Sequence, residues 1–222
     1  MLDHGWNPLE GNRMSLNSGT MINWTFWILG LLLPVHDLEH PEQKRKIHLL
    51  FVGNSLTYTN NLPAMVAARM KPYQVIADVL AKPNYALEDH WQEGRLPLLM
   101  ASNHYNFVIV QQGPSSQQDG REMLMTYGEK INVLCKQTGS QLAFFMVWPA
   151  YAQYTMFDGV IRNYSDAATA TGSILCPVGQ VWKQHFTATQ DFSYYGSDLF
   201  HPSRKGSEVA ADVIASELLK HL

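Results

Sequence analysis

From Ile47 onward the chain alternates short, dense apolar runs with longer stretches whose apolar residues recur at helical spacing. Such alternation constrains the fold strongly. Strands buried on both faces read as near-continuous apolar runs, and helices between them must cross over to make the next strand parallel. Strands are expected at Ile47–Val52, Gln74–Ala81, Asn106–Gln111, Gln141–Trp148 and Ser173–Val178. Helices are expected at Leu62–Met70, Leu96–Ser102, Arg121–Gln137, Asp158–Thr171 and Pro202–Leu222. The expected architecture is a three-layer α/β/α, flavodoxin-like domain with a parallel five-stranded sheet over residues 47–222. Ligands in such sheets bind beyond the carboxyl ends of the strands, where the strand order reverses. Reactive residues are therefore sought directly after strands one and three and in the later loops.

Residues 1–46 read differently. Ile22 to Val35 are nearly all apolar, but shorter than the roughly 20 residues a bilayer span needs. The length suits the apolar region of a signal peptide, and a secreted or periplasmic location is the preferred reading. Flanking signals are sparse: Arg13 alone supplies upstream positive charge, and no small-x-small site follows Val35. An uncleaved anchor, or an extra helix on a cytoplasmic protein, also suits the segment. Met14 or Met21 could serve as the start.

Among 222 residues, 46% are hydrophobic and 16% charged, with a net charge of −3, a globular balance that offers nucleic acid no dominant basic face. The run Lys44-Arg45-Lys46 reads as a solvated lead into the first strand. Cys135 and Cys176 form no C-x-x-C pair and read as buried free thiols, with a disulfide open only to an exported chain. His36 and His40 have i, i+4 spacing but no third ligand, so no metal is assigned.

Two short motifs carry chemistry. Gly53-Asn54-Ser55-Leu56 follows the first strand, where glycine permits a tight path and sets a serine at the sheet mouth. A serine hydroxyl needs a base to become a nucleophile. Near the C-terminus, Asp198-Leu199-Phe200-His201 puts a carboxylate three residues from an imidazole. On one turn the carboxylate can hold Nδ1–H and leave Nε2 facing outward. A turn serine and a helix-capping aspartate are the plainer readings of each motif taken alone.

Together the motifs resemble the first and fifth blocks of the SGNH (GDSL-like) hydrolases, with Asn54 in place of the family's aspartate. The resemblance implies a flavodoxin-like sheet and ester hydrolysis through an acyl-enzyme, with Ser55, Asp198 and His201 as catalytic triad and no cofactor. It also implies an oxyanion hole. The backbone amide of Ser55 is one expected donor. The family's second-block glycine is missing from Lys82–Trp91, where Asn84 is the best match. The third block, normally Gly-x-Asn-Asp, here reads Gly113-Pro114-Ser115-Ser116. Ser115 stands where the asparagine belongs, and Gln112 is the other candidate donor. The expected substrate is a small-molecule or glycan ester, with O-acetyl groups on carbohydrate as one possibility. Tyr85 is expected to line the substrate cleft, Trp148 either to wall it or equally to pack in the core, and Tyr58, Trp91 and Tyr151 to stand near its mouth. His90 reads as structural. Lipase, thioesterase or acyltransferase chemistry, or a non-catalytic glycan-binding role, are the alternatives that the resemblance leaves open. No Gly-x-Ser-x-Gly elbow or phosphate-binding loop occurs in the sequence.

Overall fold

A computed structural model describes residues 45–222. The N-terminal apolar segment, His36 and His40 lie outside these residues. The strands are β1 (Lys46–Gly53), β2 (Gln74–Ala81), β3 (Phe107–Val110), β4 (Gln141–Phe145) and β5 (Ile174–Cys176). The helices are α1 (Ser55–Tyr58), α2 (Leu62–Arg69), α3 (Leu87–Gln92), α4 (Arg95–Ser102), α5 (Gln118–Thr138), α6 (Phe157–Thr171), α7 (Val178–Thr189) and α8 (Arg204–Leu219).

All strand pairings are parallel, in the order β2-β1-β3-β4-β5. This is the flavodoxin-like order expected from the alternation. Consecutive residues of β1, β3 and β4 are buried, so both sheet faces are covered there. On the helical side, α2 packs on α8, while α3, α4, α5 and α6 pack on one another in series. Because β1 pairs with β2 on one side and β3 on the other, the chain reverses direction across the sheet at β1. A crevice therefore opens beyond the carboxyl ends of β1 and β3.

Three details differ from the sequence expectation. Strand β4 ends at Phe145 and does not run to Trp148. Its partner β5 stops at Cys176, and beyond it the carbonyl of Met146 accepts from Gly179 N–H at the start of α7. Helix α7 was not anticipated, although Val178, Trp182 and Phe186 recur every four residues and are all buried. Helix α3 lies in a stretch read as loop; it starts where Asp89 Oδ2 accepts from Ala86 N–H. Cys135 and Cys176 are both buried and free, and burial pushes the Cys135 thiol up to about 12.

Candidate active site

The turn after β1 is built from backbone inward. Asn54 caps α1: its Oδ1 accepts from Leu56 N–H at 3.1 Å, and its own carbonyl accepts from Thr57 N–H at 2.9 Å. Ser55 is thus the first helical residue, where the backbone N–H has no intrahelical partner. Beneath the turn lies Gln111, 1% exposed. Its Oε1 accepts from Asn54 N–H (3.0 Å) and Thr57 Oγ1–H (2.8 Å), while its Nε2 donates to Asn54 Oδ1 and to the Gln112 carbonyl. A Cβ at Gly53 would stand 2.3 Å from Gln111 Oε1. Glycine is required here by close approach, not by an unusual φ. His90 is wholly buried, and its Nε2 lies 2.7 Å from the Gly53 carbonyl. Burial pulls its pKa below the ordinary imidazole value, so the ring is neutral and donates that Nε2–H.

The loop before α8 carries the second motif. Asp198 Oδ1 accepts from the backbone N–H groups of Phe200 (3.0 Å) and His201 (2.9 Å). Its Oδ2 lies 2.6 Å from His201 Nδ1, and His201 Nε2 lies 2.8 Å from Ser55 Oγ. A carboxylate only accepts, so Nδ1 carries the proton and Nε2 offers its lone pair to the serine hydroxyl. Bonding to His201, with help from Phe200 N–H, holds the Asp198 carboxyl below the usual carboxylate range. Leu199 makes the reversal at φ 58°, donating from N–H to the Gly196 carbonyl and accepting from Tyr151 N–H. Ser203, not Asp198, caps α8, accepting from Gly206 N–H at 3.1 Å.

A cavity of about 370 Å³ adjoins Ser55, lined by Asn84, Tyr85, Gln112, Ser115, Met123 and Phe200 among others. Thus Ser55, His201 and Asp198 are brought together, and Asn84, Tyr85, Gln112 and Ser115 border the same crevice. Asn84 adopts φ 63°, a left-handed backbone that asparagine tolerates. The side-chain donors expected at Gln112 and Ser115 are otherwise engaged. Gln112 Nε2 donates to Ser115 Oγ (2.7 Å) and to the Gly120 carbonyl (3.0 Å), leaving neither amide hydrogen for a ligand. Ser115 Oγ–H donates to the Gly113 carbonyl at 2.9 Å.

Of the two readings of Trp148 the cleft one is corrected and the core one holds. Trp148 is 0% exposed, stacks on Trp182 with ring centroids 3.6 Å apart, and lines no part of this cavity. Its Nε1–H instead holds the Phe200 carbonyl at 3.0 Å, one residue before His201. Tyr58, Trp91 and Tyr151 also lie outside the lining, whereas Phe200, which the sequence reading passed over, belongs to it. Gln111 was likewise missed; its signal was a polar residue ending a fully apolar strand.

No family model matches the sequence, and no curated protein does. Solved structures do. A Slackia heliotrinireducens protein assigned to the SGNH hydrolases is 24% identical, with a TM-score of 0.68, over 78% of this chain and 100% of its own. A lipase/acylhydrolase from Enterococcus faecalis is 14% identical, with a TM-score of 0.63, over 79% and 97%. A variant of an acetyl-xylooligosaccharide esterase from Geobacillus is 16% identical, with a TM-score of 0.58, over 79% and 95%. At these identities the likeness speaks for architecture, and it agrees with the strand order and helix placement described above: the chain has the SGNH-hydrolase fold.

Proposed function

We propose that this protein hydrolyses carboxylic esters, with Ser55 as nucleophile, His201 as general base and acid, and Asp198 as the group that orients and charge-stabilises His201. The observation that carries this reading is the unbroken chain Ser55 Oγ to His201 Nε2 (2.8 Å) and His201 Nδ1 to Asp198 Oδ2 (2.6 Å). Ser55 Oγ bonds to the ester carbonyl carbon as its proton passes to Nε2. The tetrahedral intermediate collapses, the C–O bond to the alcohol breaks, and Nε2 returns the proton to that alcohol. Water then attacks the acyl-enzyme by the same route, releasing the acid and free Ser55.

The developing oxyanion is assigned to the backbone N–H groups of Ser55 and Asn84. Both residues border the cavity, and the side chains of Gln112 and Ser115 spend their hydrogens elsewhere. For the substrate we propose a short acyl group, with O-acetyl carbohydrate foremost. The cavity beside Ser55 offers Asn84 as a polar contact and Tyr85 as a ring, and one structural neighbour is an acetyl-xylooligosaccharide esterase by name. The test is turnover of p-nitrophenyl esters of increasing chain length beside acetylated xylo-oligosaccharides. Acetate release that disappears in Ser55→Ala is expected. Ser55→Ala retaining more than about a tenth of the wild-type rate contradicts the assignment.

A further inference from the structure

Asn54 occupies the position where the SGNH hydrolases usually carry aspartate, and its side chain does something a carboxylate cannot. Oδ1 accepts from Leu56 N–H and Gln111 Nε2–H, while Nδ2 donates to the Tyr85 carbonyl at 3.1 Å. The accepting half caps α1. The donating half crosses from the nucleophile turn to the loop after β2, next to Asn84. A second tie holds that loop from the other side, where Gln112 Oε1 accepts from Leu87 N–H at 3.3 Å. Asn54 is 7% exposed, so no solvent takes over a lost bond cheaply.

We propose that Asn54 is a positioning residue whose amide Nδ2–H clamps the Asn84–Leu87 loop onto the nucleophile turn and so fixes the Asn84 N–H toward the oxyanion. This rests on the ester-hydrolase reading above. An aspartate at this position keeps the shape, the cap on Leu56 and the bond from Gln111, but sets a carboxylate against the Tyr85 carbonyl.

The test is Asn54→Asp on the full chain, read by steady-state ester kinetics and by amide hydrogen exchange of residues 84–90. Expected are a kcat about tenfold lower with KM within about twofold, and exchange at Tyr85 to Leu87 about tenfold faster. Should Asn54→Asp fail to melt cooperatively, Asn54→Ser replaces it: the hydroxyl still caps α1 but is too short to reach Tyr85, and the same two changes are expected. Exchange and kcat both within twofold of wild type overturn the clamp. Faster exchange with unchanged kcat overturns the positioning role. If wild type turns over no ester, the ester-hydrolase reading fails by itself, and exchange still decides whether the clamp exists.

Discussion

Gly53→Ala tests how tightly the nucleophile turn is built. The added Cβ would meet Gln111 Oε1 at 2.3 Å and Thr57 Oγ1 at 2.4 Å, about 1 Å inside ordinary contact, and the Gln111 carbonyl at 3.0 Å. Gln111 cannot swing aside without breaking bonds to Asn54 N–H, Thr57 Oγ1–H, Asn54 Oδ1 and the Gln112 carbonyl. Overpacking of this kind costs about 1–3 kcal/mol. For a domain of this size that lowers Tm by about 2–12 °C. Relief by moving the turn displaces Ser55 relative to His201, and a shift on the order of 1 Å can lower kcat about a hundredfold. Gly113 gives the control for stability: a Cβ there meets nothing within 4 Å, so Gly113→Ala should melt with wild type. The assay is thermal unfolding followed by circular dichroism, with ester kinetics beside it. A Gly53→Ala protein that melts within about 1 °C of wild type and keeps its kcat refutes the reasoning.

Three further outcomes are expected. Ser115→Ala should change kcat by less than about threefold, because its hydroxyl proton already goes to Gly113; a loss of about a hundredfold or more, the size typical of a removed oxyanion donor, would return the role to Ser115. Trp148→Phe removes the bond to the Phe200 carbonyl and part of the stack on Trp182; unfolding should show a loss of roughly 1–3 kcal/mol, and kcat should fall as the His201 loop loosens. Asp198 has a depressed folded pKa, so its contribution is present above the unfolded carboxylate value and is lost only as pH falls through the lower folded one. The unfolding free energy of wild type should therefore fall more than that of Asp198→Asn as pH drops through the usual carboxylate range, and parallel pH profiles for the two proteins count against an Asp198 held charged by His201.

Much of this was legible because a parallel sheet writes itself into sequence. The runs that became β1 and β3 are apolar without alternation, and Asp198 and His201 lie close enough on one loop to meet whatever the rest of the chain does. Ser55 is a different case, 146 positions from His201; only the expected strand order and the motif resemblance brought the two together. The place of Trp148 is not legible in the sequence. An aromatic just past a strand can wall a cleft or fill the core, and the choice was made by Trp182 on α7, a helix the reading had not found. Gln111 and Gln112 show a second gap. Adjacent residues leaving a strand point to opposite sides, so one glutamine went under the Ser55 turn and the other to Leu87, Ser115 and Gly120. Composition marks both as polar and says nothing of which loops they join.

The central claim is that Ser55 is a nucleophile activated by His201, and covalent labelling tests it most directly. Wild-type protein is treated with a fluorophosphonate, digested, and mapped by mass spectrometry, with Ser55→Ala and His201→Ala treated alike. The account predicts one adduct on Ser55, none at that position in Ser55→Ala, and labelling slowed by orders of magnitude in His201→Ala. Wild-type protein that stays unlabelled while folded, or that labels at Ser55 equally fast without His201, contradicts it.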